Sequence, residues 1–373
     1  MSLTVRTRHF RGLADIDWTI PPGLSVLVGG NGAGKTTFLF IVDILRRATA
    51  RDGSLASALD DYGGGRGLKY FGAPEDAPVI IGAELDGISW SIEPMPVAGG
   101  LAAFPAESLK TPQGMVFERT SGSPTFEWKG KSVKSGEPTI IRRLADAQLD
   151  EGAFPGQRLL DLLANCRIYY DYDLARARGG SQDTPRKWLY RTGENVFSVL
   201  RNWRDSFADR ERYDFVEESL RECFGFFEAL GFEKSGNVIE GLIKHRTFKH
   251  EFPAGHAANG WFVALMHFTA IAGADRGQVI CIDEFENAMH PRAVSTALKL
   301  LHEYVEATGI SVVLTSQSPQ VLDWFDAHPD RVFVLDRRYL PGPLPITELR
   351  TRQWLSHFRL GDKYADGDFG AEP

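Results

Sequence analysis

The sequence predicts an α/β fold in which a mixed sheet carries a phosphate-binding loop, with a long β-rich and helical lobe inserted into it. Three observations predict it. Gly29-Gly30-Asn31-Gly32-Ala33-Gly34-Lys35-Thr36 lies between the apolar runs 24–28 and 37–42, giving a strand, a glycine loop and a helix. Val279-Ile280-Cys281-Ile282 is a second apolar strand, and it ends in Asp283-Glu284. Residues 310–314 form a third, which ends in Thr315-Ser316-Gln317-Ser318-Pro319. Ligands of such sheets gather at the carboxyl ends of the strands, so the three motifs predict one site built from both ends of the chain.

Residues 4–10 alternate as a half-buried strand does, and the Pro21-Pro22-Gly23 turn delivers the chain into the strand before the loop. Backbone N–H groups converge on a polyphosphate only where small residues let the chain wrap tightly before a helix, which is what Gly29, Gly32 and Gly34 permit. Asn31, Gly32, Ala33, Gly34, Lys35, Thr36 and Thr37 are therefore the candidate nucleotide-binding residues. Lys35 reaches the β- and γ-phosphates as a point charge, and the Thr36 hydroxyl joins the shell of a magnesium ion, which implies Mg-ATP or Mg-GTP. The helix after the loop runs to about Arg46-Arg47.

Residues 50–75 are rich in Gly and Asp and read as a mobile connection. A hairpin is predicted over 79–94 around Asp86-Gly87, and two more short strands over 114–141 around Gly122-Ser123-Pro124 and Gly130. That segment carries Lys129, Lys131 and Lys134, with Arg142 and Arg143 beyond, a solvated hairpin face or a surface for a partner or nucleic acid. After about 155 the period turns helical: Val196, Val199, Leu200 and Trp203 share a face, and 213–230 is amphipathic. The resulting division is a core split between 1–50 and 250–373, with 51–249 inserted, β-rich over 76–145 and helical over 155–235.

Asp283 is assigned to orient magnesium through water and Glu284 to polarise the attacking water. Gln317, at the end of the third strand, is a candidate sensor of the γ-phosphate. The same turn also reads as a plain helix start, with Ser318 as N-cap and Pro319 in the first turn.

Composition bounds the rest. In 373 residues, 43% hydrophobic and 24% charged is an ordinary globular balance, enough for one large or two ordinary domains. Cys166, Cys223 and Cys281 have no metal-ligand spacing, and the net charge of −7 argues against broad nucleic-acid binding by counterion release. The N-terminus has no apolar signal core, and the longest apolar run, 261–274, is too short to span a bilayer and contains His267. A cytoplasmic protein is expected.

Three segments carry a family resemblance: Asn-Gly-Ala-Gly-Lys-Thr-Thr at 31–37, Asp283-Glu284-Phe285-Glu286-Asn287-Ala288-Met289-His290-Pro291, and Thr315-Ser316-Gln317-Ser318-Pro319. They resemble the ABC-type AAA ATPases related to the OLD and SMC groups, with Walker A and Walker B motifs in place. The ending 360–370 is similar to that of short stand-alone members without a TOPRIM nuclease domain. The resemblance implies ATP and Mg²⁺ as ligands and a homodimer or higher oligomer in which a signature loop of one subunit completes the other's site. In this chain that loop falls at Ala258, Asn259 and Gly260, where the family carries a serine before its glycine. It places Asn287 and His290 near a dimer interface and Phe10 and Arg11 beside the adenine. Gln317 stands where the family has histidine, and glutamine hydrogen-bonds but cannot become cationic.

The expected activity is Mg-dependent ATP hydrolysis driving dimer closure in support of a separately encoded partner. The resemblance implies a nuclease as that partner, in defence against phages or plasmids. A second reading makes the chain itself a metal-dependent nuclease through Asp171 and Asp173 in Tyr169-Tyr170-Asp171-Tyr172-Asp173, or through Asp366, Asp368 and Glu372. A strand leaving for a loop and a solvated tail are the simpler readings of those two segments. A third makes it a DNA-binding mediator of the RecF kind, using a basic groove from Lys129, Lys131, Arg142, Arg143, Lys244, Arg246 and Lys249.

Overall fold

Parallel strands covered on both faces are apolar throughout, and the three apolar runs of the sequence lie side by side in one sheet. The computed structural model describes residues 2–97, 100–101, 105–128, 131–134, 139–147 and 154–370. The order in this central sheet is Arg167–Tyr169, Val279–Ile282, Ser311–Ser316, Gly23–Val28, Val332–Val334 and Leu344–Pro345. Every pairing is parallel except the last. Successive side chains of a strand point to opposite faces. Leu27, Cys281 and Val313 accordingly join the core around the loop helix Lys35–Thr49, whereas Val26, Ile282 and Leu314 join the core containing the helices Asn259–Ala272 and Pro291–Thr308.

An eight-stranded antiparallel sheet covers the other side of the loop helix. Its order is Lys131–Lys134, Thr125–Trp128, Gly114–Arg119, Ala106–Thr111, Ile88–Glu93, Ile80–Leu85, Leu3–Phe10 and Leu13–Ile20. Val5, Trp18, Ile81 and Trp90 pack into the same core as Phe38, Ile41 and Leu45, with the Trp18 and Phe38 rings 4.9 Å apart. The helix is thus sandwiched between two sheets, which fixes the glycine loop at its start. The expected hairpin closes through Asp86 and Gly87, both left-handed at φ 52° and 78°, as a two-residue turn between right-twisted strands requires.

Two strands from the residues between the two halves of the core pair with strands of the core. Strand Arg167–Tyr169 supplies the edge of the central sheet by pairing with Val279–Ile282, and Ile80–Leu85 pairs with Leu3–Phe10. The connection 50–75, expected to be mobile, contains the helix Leu55–Asp61, capped by the Ser54 hydroxyl accepting from the Ser57 N–H at 3.3 Å. Leu55, Ala58, Leu59 and Tyr62 tie it to the core. The helical pattern expected to reach 235 stops at Cys223, and Phe227–Ser235 and Val238–His245 form an antiparallel hairpin instead. Cross-strand pairing with a segment outside the amphipathic window overrides the local period there.

Of the basic residues, Lys129 lies outside the described residues, as do Gly130 and Glu372. Arg142 pairs with Asp146 at 2.9 Å and Lys244 with Glu228 at 2.8 Å, while Arg246 donates to the Phe227 carbonyl at 3.3 Å. Two of the charges expected in a basic groove, those of Arg142 and Lys244, are therefore compensated locally.

Candidate functional site

The glycine loop is shaped by its neighbours. A Cβ on Gly29 would lie 2.4 Å from the Leu335 carbonyl oxygen, and one on Gly34 would lie 2.3 Å from Leu13 Cδ2. Gly34 also adopts φ 105°, which side-chain-bearing residues rarely do. It caps the loop helix without a side chain, so nothing from the cap competes for the N–H groups of the first turn, the positive end of a 15-residue helix dipole. Asn31 and Gly32 are exposed at the loop tip, and Ala33, Thr36 and Thr37 are half-buried. Lys35 is buried and its Nζ donates to the Gly29 carbonyl at 2.7 Å and the Gly30 carbonyl at 3.1 Å. Tyr364 closes on the same loop, its hydroxyl donating to the Gly29 carbonyl at 2.9 Å.

The two halves of the site meet where the Thr36 hydroxyl donates to Asp283 Oδ2 at 2.7 Å. Asp283 is otherwise fixed: its N–H donates to the Tyr169 carbonyl at 2.8 Å, and Oδ1 accepts from the Thr315 hydroxyl. Thr315 Oγ1 in turn accepts the Glu284 N–H at 2.9 Å. Glu284 is exposed and left-handed at φ 46°, a conformation that costs a non-glycine residue about 1–3 kcal/mol and clusters at functional positions. Thr315 thus holds both carboxylate-bearing residues through one hydroxyl.

Behind Glu284, Phe285 is anchored twice. Its N–H donates to the Thr315 carbonyl at 3.2 Å, and its carbonyl is 3.1 Å from His267 Nε2. A carbonyl only accepts, so Nε2 carries the proton, and Nδ1 is free to accept from the Tyr172 hydroxyl 3.1 Å away. Burial pushes the His267 pKa down to about 3, so the ring is neutral in this role. These groups border a cavity of about 330 Å³ whose polar edge is formed by Asp171, Asp283, Glu284 and Asn287.

Gln317 is half-buried beside the same strand end, with its N–H donating to Glu286 Oε1 at 3.0 Å. The residues expected to form a signature loop lie at the start of helix Asn259–Ala272, with Ala258 as its N-cap. Arg178 clamps this loop, donating to the Gly255 carbonyl, to the Ala257 carbonyl at 2.8 Å and to Asn259 Oδ1 at 2.8 Å. A Cβ on Gly260 would sit 2.5 Å from the Ala288 carbonyl oxygen, so the loop packs directly on the segment following Glu284. Asn287 is exposed at the cavity, whereas His290 caps Pro291–Thr308, its Nδ1 accepting from the Arg292 N–H at 3.2 Å.

Phe10 does not face a base-binding space. It is fully buried in the core: Leu3, Val5 and Thr7 point inward, and the left-handed His9 at φ 55° breaks that alternation and turns residue 10 inward as well. Arg11 stands at φ 52° with its guanidinium 5.5 Å from the Phe40 ring centroid and donating to the Tyr62 carbonyl, which fastens the 62–68 segment. Of the proposed nuclease carboxylates, Asp171 lies at the edge of the cavity with Asp283 and Glu284, and three others are engaged elsewhere. Asp173 caps the helix Leu174–Arg178 by accepting from the Arg176 N–H at 2.9 Å, and Asp366 and Asp368 flank Lys363 at 3.1 and 3.2 Å. Among the described residues no group of three or more His, Cys, Asp or Glu is arranged to hold a metal ion.

Thr315, His267, Tyr172 and Tyr169 brace the candidate site and were given no role by motif reading. Thr315 was visible as the residue after an apolar strand, and His267 as the histidine of an otherwise apolar run.

A donor set of one hydroxyl and one carboxylate oxygen, beside a helix start, fits a hard divalent cation that takes its other ligands from water and phosphate, as Mg²⁺ does. A protein-family profile described as "AAA domain, putative AbiEii toxin, Type IV TA system" matches residues 183–323, which include the signature loop, Asp283-Glu284 and Gln317. Three solved structures are similar in outline. An SMC head bound to the C-terminal winged-helix domain of ScpA has 11% identity and TM-score 0.46, covering 89% of this chain and 92% of its own. An SMC head with an extended coiled coil, bound to the C-terminal domain of ScpA from Pyrococcus furiosus, has 12% identity and TM-score 0.46, with the shares 89% and 92%. The SMC head domain from Thermotoga maritima has 11% identity and TM-score 0.40, with the shares 90% and 94%. No curated protein sequence matches the chain. No helix among the described residues is long and apolar enough to cross a membrane.

Proposed function

We propose that this chain, an ABC-type P-loop ATPase, hydrolyses Mg-ATP and couples the cycle to closure of a homodimer. The observation that carries the reading is the 2.7 Å hydrogen bond between Thr36 and Asp283 with Glu284 beside it, a magnesium-binding pair next to a carboxylate facing solvent. Lys35, the loop amides and the first turn of the loop helix hold the phosphates, with Asn31 to Thr37 as the contact residues. Thr36 and Asp283 would hold a Mg²⁺ ion, which would supply neutralisation of the phosphate charge. Glu284 orients a water for in-line attack on the γ-phosphorus: the new P–O bond forms as the bond to the β-phosphate oxygen breaks, and ADP leaves. Gln317 senses the γ-phosphate by hydrogen bonding.

In the closed dimer the second subunit's loop of Ala258, Asn259 and Gly260 faces the γ-phosphate, with Asn287 and His290 near the interface. The hydroxyl that a serine would offer is absent, and Arg178 holds Asn259 Oδ1, which leaves the Asn259 side-chain NH₂ and the loop backbone as donors. The description of the matched family names a "putative AbiEii toxin" of a type IV toxin–antitoxin system, which supports action with a separately encoded partner; a nuclease partner in cytoplasmic defence rests on the motif resemblance alone. The test is the ATPase rate of the purified chain with and without Mg²⁺ and double-stranded DNA. No turnover above background under any condition sinks the hydrolytic reading, and Mg-dependent ATP binding without turnover leaves a nucleotide-gated binding module.

A further inference from the structure

A second cavity, of about 170 Å³, opens near the far end of the loop helix and is bordered by Arg46, Arg167, Arg186 and Arg191. Arg46 is eleven residues along the helix from Lys35, roughly 16 Å at the rise of an α-helix, so this space is separate from the glycine loop. We propose that it is a binding site for a single phosphate group.

The charge balance is the first argument. The carboxylates at the cavity are Asp43 and Asp52. Asp43 is already spent: it accepts from Arg46 at 3.1 Å and from the Tyr62 hydroxyl at 2.7 Å, and lies 3.6 Å from Arg47. Asp52 is exposed on the turn after the helix. Among the described residues the guanidiniums of Arg167, Arg186 and Arg191 make no hydrogen bond or ion pair; their contacts are with rings. Arg167 and Arg186 each lie 4.9 Å from the Trp188 ring centroid, and Arg191 lies 4.7 Å from that of Tyr170. Stacking fixes the planes of the forks while leaving their N–H edges free to donate.

Arg167 makes the cost explicit. It is half-buried at the start of the edge strand, and burial, with Arg46 nearby, pulls its pKa down. A guanidinium does not give up its proton in proteins, so burial leaves a charge that the exposed Asp52 only partly offsets. An anion in the cavity repays that cost.

Size and donor count select the anion. Pockets for drug-sized ligands run to about 300–1,000 Å³, so this space admits a phosphate group and little beyond its ester linkage. A carboxylate offers two oxygens and one charge, too few for three unpaired forks. A phosphate offers three or four oxygens around one centre, which suits guanidinium groups approaching from several sides. The group comes either as free phosphate or a small ester, or as one phosphate of a nucleic-acid backbone, and the experiment separates these sources.

Inorganic phosphate is titrated calorimetrically into the full chain and into Lys35→Ala, which removes competition from the glycine loop. A fluorescent 20-nucleotide duplex is titrated by anisotropy in parallel. Both are repeated with Arg186→Gln/Arg191→Gln, two exposed positions whose replacement leaves the core untouched, and with Arg51→Gln as an arginine outside the cavity. The expected result is saturable phosphate binding in Lys35→Ala that weakens at least tenfold in the double variant and not in Arg51→Gln. If duplex affinity falls with it and depends steeply on salt, the source is the backbone; if only phosphate affinity falls, the source is the free anion. Absence of saturable phosphate binding, or equal phosphate affinity in the double variant and its parent, overturns the proposal.

Discussion

Thr36 and Asp283 lie 247 residues apart in the chain and are joined by a 2.7 Å hydrogen bond from hydroxyl to carboxylate. The contact exists because Gly23–Val28 and Val279–Ile282 both flank Ser311–Ser316 in parallel register, which brings their carboxyl ends to one edge of the sheet. The proposed magnesium site therefore draws on both residues, and the loss of either should disable it. Asp283→Asn keeps the shape and one acceptor oxygen but removes the charge. Mg-dependent ATPase activity is expected to fall by about a hundredfold or more, while Lys35→Ala removes measurable ATP binding. Normal ATP affinity in Lys35→Ala would take the glycine loop out of the site.

In the proposed mechanism the charge of Glu284 matters only at the chemical step. Its side chain is exposed and makes no hydrogen bond among the described residues, so Glu284→Gln leaves the fold and the nucleotide contacts intact. Turnover is expected to drop about 10²–10⁴-fold with ATP affinity little changed, and the ATP-bound dimer to accumulate. Mass measurement with and without ATP reads this as a shift from 41.4 kDa toward twice that value. An unchanged mass in ATP would leave either a permanent oligomer or no nucleotide-closed dimer.

Thr315 separates positioning from binding. Its hydroxyl donates to Asp283 and accepts the Glu284 N–H, so Thr315→Val keeps the volume and strands both partners. The expected signature is a kcat lowered about 10- to 100-fold, as misplacement of a reacting group produces, with KM for ATP within a few-fold. Thr315→Ser should restore most of the rate. A parallel loss of thermal stability that Ser does not rescue would assign Thr315 to packing alone.

What was legible in the sequence was contiguous. The glycine loop declares itself because the tight wrap, the lysine and the following helix are fixed within eight residues, and Asp283-Glu284 because an apolar run ends on two acids. Thr315 needed the strand order: only the pairing of Ile282 with Leu314 puts residue 315 across from Asp283. Tyr169 was hidden for the same reason, since its strand joins the central sheet from a stretch that reads as inserted. Tyr172 and His267, 95 residues apart, meet through tertiary packing that no local period encodes. The 227–245 hairpin was missed because its partner strand, and not its own pattern, decides its conformation.

His267 sets the acid limit of the site. Its folded pKa of about 3 lies below the ordinary histidine value of 6.5, so between those values the unfolded chain binds a proton that the native chain does not. The contribution is complete above pH 6.5, weakens as pH falls toward 3 and levels off below, with a slope approaching about 1.4 kcal/mol per pH unit. Denaturant melts of the wild type and His267→Gln between pH 4.5 and 8 check this. The variant, which can still donate to the Phe285 carbonyl, should show a shallower acid loss. Because the imidazole stays neutral in the native state, the ATPase pH profile should carry no inflection from it above pH 5. An inflection near 6.5 that disappears in His267→Gln would mean that the ring titrates in the folded protein, and that the Tyr172–His267–Phe285 chain is a proton path instead of a brace.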